Sequence, residues 1–188
     1  MFKRFGAFFL DILEVIVFAI GIFFFVYLLI MQPHKIKGQS MMPNFPDSEF
    51  LLTEKVTYYT QQPKRGDVVV LAPPPSVSQT DEFIKRIIGL PGEKILINDG
   101  QVYINGKLLK ESYIADGVGT HGGTFLEDGR EYAIPFDQYF AMGDNRPNSS
   151  DSRYFGPITK KEITGRAWVI YFPFNLFGVV PSPTYTFE

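Results

Sequence analysis

The sequence predicts a mainly β protein carried on one N-terminal membrane helix. Three observations predict this. Residues 15–31 form an uncharged run of 17. Downstream, short β-branched and aromatic runs alternate with Gly, Pro, Asn and Asp turns. After the apolar run, no segment sustains the i, i+3, i+4 spacing of an amphipathic helix.

As a helix, residues 15–31 span about 25 Å, slightly short of a ~30 Å hydrocarbon core. Phe8, Phe9, Leu10, Ile12 and Leu13 complete the thickness and leave Asp11 and Glu14 near an interface. A cleaved leader would need small residues after the apolar run. Met31-Gln32-Pro33-His34-Lys35 follows instead, so residues 1–31 are expected to remain as an anchor. A helix buried in a protein core fits 17 uncharged positions poorly. Lys3 and Arg4 precede the span and Lys35 and Lys37 follow it, so charge alone leaves the orientation open.

Strands are expected at residues 49–53, 68–71 and 82–88. The second is a β-branched run suited to a sheet covered on both faces. Pro73-Pro74-Pro75 and the loop to Thr80 separate it from the third. Residues 94–97, 101–104 and 107–109 form a meander, because Asp99-Gly100 and Asn105-Gly106 are strong hairpin signals. Residues 110–133 carry Gly117, Gly119, Gly122, Gly123 and Gly129 and read as a long flexible excursion. Residues 92–133 are therefore expected to be a small β insertion in a core made of residues 32–91 and 134–188. Strands resume at residues 139–142 and 167–172. The Pro-broken aromatic tail at residues 172–180 either packs on the core or rests on a bilayer interface.

Composition narrows the chemistry. The chain has 188 residues, enough for one domain of ordinary size beyond the anchor. A net charge of −2 gives no reason to expect a nucleic acid partner. The absence of cysteine removes thiol catalysis, disulfides and Cys-based metal sites. Only two histidines, His34 and His121, are available for a triad or a metal. Gly38-Gln39-Ser40-Met41-Met42-Pro43, at the foot of the anchor, is either a polar linker or a nucleophile held at a membrane surface. A serine hydroxyl needs a base, and lysine can be one when desolvation lowers its pKa. Strand alternation places Lys85 on a face with Phe83 and Ile87, a suitable apolar setting. A lysine snorkelling to water from a half-buried strand is the other reading of that position.

Three motifs in order decide between these readings: Gly38-Gln39-Ser40-Met41-Met42-Pro43, then Lys85-Arg86-Ile87-Ile88-Gly89-Leu90-Pro91-Gly92-Glu93, then Gly143-Asp144-Asn145-Arg146-Pro147-Asn148-Ser149-Ser150-Asp151-Ser152-Arg153. Together with Arg65-Gly66-Asp67-Val68-Val69-Val70 and the anchor, they resemble bacterial type I signal peptidase over nearly the whole chain. The resemblance implies an antiparallel β-sheet catalytic domain outside the cytoplasmic (inner) membrane, held by a single pass. It implies Ser40 as acylated nucleophile, Lys85 as general base and Ser149 as the hydroxyl that orients the lysine. Asp144, Asp151 and Arg153 would brace the site and Met41 would pack beside the nucleophile. Gly38 stands where some relatives carry an oxyanion-assisting serine, Asn44 where threonine is usual, and Pro147 where a polar residue is frequent. The implied partners are preprotein signal peptides and the phospholipid bilayer, with a functional link to the secretion translocon. No metal or cofactor is expected. A self-cleaving Ser-Lys protease of the repressor type, or an inactive homologue acting as a membrane-anchored interaction module, are the rival readings. The first would be soluble, and the second would be expected to lose Ser40 or Lys85.

Overall fold

A 28-residue helix, α1 (Phe2–Leu29), opens the fold. The structure, a computed structural model, describes residues 2–188, with side chains from residue 8 on. Lys3 and Arg4, which enter the charge balance, lie outside the described side chains. Within α1, Phe8–Leu29 has a mean hydropathy of 2.8 and none of it is buried by the rest of the protein. These 22 residues are long and apolar enough to cross a membrane, about 33 Å at helical rise. A helix suits such a segment because it satisfies its own backbone where water is absent.

The helix ends two residues earlier than the uncharged run. Met31 already opens strand β1 (Met31–Lys35), which pairs antiparallel with β2 (Phe50–Glu54). Lys55 Nζ and Tyr59 Oη donate to the Leu28 and Leu29 carbonyls at 3.4 and 3.0 Å, and Lys55 N–H to the Ile30 carbonyl at 2.9 Å. These bonds cap carbonyls that the helix end leaves open, and the lysine charge suits that end of the helix dipole. The helix is thereby fastened to the sheet.

After β2 come a short helix, α2 (Val56–Thr60), then β3 (Val68–Leu71) and β4 (Phe83–Gly89). All four residues of β3 are buried, as the β-branched run requires. A meander follows, β5 (Lys94–Asn98), β6 (Gln101–Ile104) and β7 (Lys107–Lys110). Its turns have positive φ at Asp99 and Gly100 and at Asn105 and Gly106, the type I′ geometry those dipeptides favour. The remaining strands and α-helix are β8 (Tyr132–Ala133), β9 (Gln138–Met142), α3 (Ser152–Phe155), β10 (Ile158–Thr159), β11 (Ile163–Phe172), β12 (Gly178–Val179) and β13 (Thr186–Phe187).

The larger sheet runs β1-β2-β11-β3-β4-β9-β10, with β12 on β11, and the smaller runs β13-β7-β6-β5-β8. Every pairing is antiparallel. The sheets share a core. Ile88, Phe140 and Met142 of the larger pack with Ile95, Ile97, Val102 and Ile104 of the smaller. Burial of such side chains is worth about 1.5–3 kcal/mol each, which makes this shared layer the main tie between the two sheets.

The glycine-rich stretch is tied down rather than loose. Leu126 is fully buried, Phe125 and Leu126 N–H both donate to the Arg153 carbonyl, and Thr120 N–H donates to Gly100 O. The tail is divided: Phe174 is 80% and Phe177 68% exposed, whereas Val180 packs against the cluster of Ile36, Phe45 and Leu51.

Candidate active site

Ser40 sits in the turn after Gly38, whose φ of +90° turns the chain out of the β1 direction. No atom would obstruct a side chain at Gly38, so backbone conformation alone favours glycine there. Asp47 Oδ1 accepts the Gly38 N–H at 2.7 Å and secures the turn. Met41 points the other way and is buried in a cluster with Ile36, Phe45 and Leu51. The nucleophile candidate is thereby pinned by its neighbour.

Lys85 lies on β4 and is 3% exposed. Its Nζ donates to Ser40 Oγ at 2.7 Å and to the Ile84 carbonyl at 3.0 Å, and it lies 5.1 Å from the Phe83 ring centroid. Burial pulls its pKa down from 10.5 to about 8. Asp151 and Asp144 pull upward, and Arg153 opposes them. Each carboxylate is itself matched by an arginine. Arg86 grips Asp144 through Nε at 2.8 Å and Nη2 at 2.6 Å, and Arg153 grips Asp151 through Nε and Nη2 at 2.8 Å. Two neutralised pairs beside the lysine let desolvation prevail.

The loop at residues 143–153 carries this frame. Asp151 Oδ2 accepts the Gly143 N–H at 3.0 Å, and Asn145 N–H donates to the Ser40 carbonyl at 3.0 Å. A Cβ on Gly143 would stand 2.2 Å from Ser149 Oγ and 2.4 Å from Ser40 O. Only glycine lets these groups meet. Ser149 is buried and Ser150 exposed, as extended backbone at Ser149 requires. The Ser149 hydroxyl has no hydrogen-bond partner, and the lysine's second bond goes to Ile84. Pro147 occupies the first turn of a 3-10 helix, Arg146–Asn148, where its missing N–H is not needed. Asn44 Nδ2 donates to Asp144 Oδ2 and to the Tyr113 carbonyl, both at 2.9 Å, so the departure from threonine is hydrogen-bonded.

Neither histidine is bonded to Ser40. His34 contacts Thr53 and Glu82, and His121 is exposed near Asp128. Sequence reasoning passed over Arg86, although it is adjacent to Lys85. It also passed over Arg146, which is fully buried against Glu111 and Thr120.

A cleft of about 610 Å³ opens at Ser40 and Lys85, lined by Ile36, Leu51, Val70, Phe83 and Ile84 among others. β4 pairs with β9 only from Arg86 onward. Among the described residues, Phe83, Ile84 and Lys85 therefore present a free strand edge to the cleft.

The family model for signal peptidase, peptidase S26, matches residues 9–172. The chain belongs to the signal peptidase family. It is 38% identical over 168 residues to the probable signal peptidase I-2 of Synechocystis sp., covering 88% of this chain and 72% of that protein. It is 36% identical to signal peptidase I of Leptolyngbya laminosa over 176 residues, 90% of this chain and 81% of the relative. It is also 36% identical to signal peptidase I of Bacillus amyloliquefaciens over 170 residues, 88% and 89% of the two chains. A crystal structure of a signal peptidase I from Enterococcus faecalis V583 aligns with a TM-score of 0.44 at 30% identity, covering 56% of this chain and 97% of that one. The enzyme class is that of signal peptidase I, a serine protease.

Proposed function

We propose that this peptidase cleaves signal peptides from exported preproteins at the outer face of the cytoplasmic membrane, with Ser40 as nucleophile and neutral Lys85 as its base. The supporting observation is the 2.7 Å hydrogen bond between a buried lysine and the serine at the head of an open cleft. Lys85 takes the Ser40 proton as Oγ attacks the scissile carbonyl. The backbone N–H of Ser40 serves the oxyanion. Collapse breaks the peptide bond, and Lys85 returns the proton to the departing amine of the mature protein. Lys85 then deprotonates a water that frees the signal peptide from the acyl-enzyme. The substrate adds as an extended strand to the Phe83–Lys85 edge, and the apolar part of the cleft, Ile36, Leu51, Val70, Phe83 and Ile84, is the place for small residues such as alanine at alternate positions.

The unpartnered Ser149 hydroxyl is there to orient the lysine as it takes the proton, the arginine-paired Asp144 and Asp151, with Arg153, fix the frame, Met41 locks the Ser40 turn, and Gly38 permits it. α1 spans the bilayer once and keeps the cleft at its surface, beside the translocon that delivers preproteins. The test is incubation of the purified protein with a preprotein carrying Ala-x-Ala at its junction. Wild type cuts once, after that motif, whereas Ser40→Ala and Lys85→Arg do not, because arginine keeps its proton. Equal cleavage by all three, or none by wild type, removes this reading.

A further inference from the structure

The span matched by the family model ends at residue 172, and the chain that follows runs to the back of the catalytic frame. Val180 N–H donates to the Trp168 carbonyl at 2.9 Å. From there residues 180–188 form a strap to the smaller sheet. β13 pairs with β7, Glu188 and Leu108 exchange backbone hydrogen bonds, and Glu188 forms an ion pair with Lys110. Midway, Pro183 and Tyr185 lie so close over Gly66 that a Cβ there would meet the tyrosine ring at 2.7 Å. The Gly66 carbonyl in turn accepts Arg86 Nη1 at 3.0 Å.

Tyr185 reaches Arg86 by a second route. Its hydroxyl donates to that of Tyr113 at 3.2 Å, and the two rings meet edge to face, 6.0 Å apart. The Arg86 guanidinium stacks over the Tyr113 ring, 4.1 Å from its centroid. The Tyr113 hydroxyl in turn donates to Glu111, which also binds Arg146. The aromatic pair therefore closes the solvent side of the Arg86–Asp144 bridge.

From this geometry we infer that Tyr185, midway along the strap, is a positioning residue that acts on Lys85 through Tyr113, Arg86 and Asp144. The inference rests on the lysine-base reading. A guanidinium that is stacked, dry and gripped at three points neutralises Asp144 fully. With the ring removed, water enters, the bridge loosens, and Asp144 pulls harder on the lysine proton. The charged groups acting on Lys85 are Asp151 and Arg153, which the strap does not touch, and Asp144, which it reaches through Arg86.

The experiment is steady-state kinetics on the full chain in detergent with a signal-junction peptide, across the acid limb of the pH profile. Wild type, Tyr185→Ala, Tyr185→Phe and Phe187→Ala are compared, with thermal unfolding of each. Phe187 belongs to the strap but packs over Arg65 rather than on the bridge. Tyr185→Ala is expected to lower kcat roughly 10-fold, with KM within about twofold. It should also raise the pH midpoint by about half a unit. Tyr185→Phe keeps the ring and should restore both values. Phe187→Ala should lower Tm without moving the midpoint. An unshifted midpoint in Tyr185→Ala overturns the inference, and so does an equal loss in Tyr185→Ala and Phe187→Ala. A wild-type profile with no acid limb near pH 8 would instead sink the lysine-base reading itself, so the two failures are distinguishable.

Discussion

At the scale of single residues, the site is a contest between burial and charge at one amine. Burial lowers the Lys85 pKa, two carboxylates raise it, and two arginines mute the carboxylates. The neighbouring serines offer a sharp test. Ser149 Oγ is buried without a partner against Gly143 and the Ser40 carbonyl, whereas Ser150 is exposed at the cleft. A neutral hydroxyl there can orient the amine without adding charge. Ser149→Ala is expected to lower kcat roughly 10- to 1000-fold at little change in KM, the range for one positioned hydrogen bond. Ser150→Ala should stay within about threefold. Kinetics on both, with circular dichroism to check folding, decides it; damage confined to Ser150→Ala would shift the assigned register by one. The serine and the lysine were legible because each sits in a recognisable motif. Arg86 and its aromatic partners were not, because Tyr113 stacks on Arg86 and Tyr185 meets Tyr113 through contacts remote in sequence.

At the scale of elements, the loop at residues 143–153 works because Gly143 has no side chain. Gly143→Ala would drive a methyl into Ser149 Oγ and the Ser40 carbonyl. Neither group can yield without moving the nucleophile turn. Activity should fall at least about 100-fold, with Tm down by several degrees for a packing cost of about 1–3 kcal/mol. Near-wild-type turnover would show that the loop can shift without penalty. The hairpins were readable because Asp99-Gly100 and Asn105-Gly106 encode their own turns. β1 was not, since Met31–Lys35 contains Pro33 and looks like a linker; proline is tolerated because this strand lies at the sheet edge. β13 was hidden for a related reason, being two residues paired with distant β7. The glycine-rich stretch looked loose because the residues that hold it, Arg146 and Arg153, lie beyond it in the chain.

At the scale of the whole molecule, the anchor passes into the larger sheet with a single residue, Ile30, between α1 and β1. His34 and Lys35 of β1 line the same cleft as Ser40. With α1 crossing a membrane as proposed, the cleft would be set near the membrane surface, and exposed Phe174 and Phe177 are apolar groups suited to an interface. Charge flanking the span is balanced, so orientation has to be measured. Protease added to intact spheroplasts is expected to digest the β portion and spare α1. Full protection of the β portion until lysis would reverse the proposed orientation.

The central claim is that Lys85 can give up its proton near pH 8 because the fold has dried it, and its titration tests that most directly. With the lysines labelled at the side-chain Cε, and Lys85→Arg used for assignment, the Lys85 resonance should titrate near pH 8, where the acid limb of kcat/KM should also fall. The sign is fixed by the direction of the shift. The unfolded chain holds the proton up to about 10.4, so folding stability should rise with pH between the two values. A Lys85 midpoint at the ordinary lysine value, with activity still present at pH 7, would contradict the account.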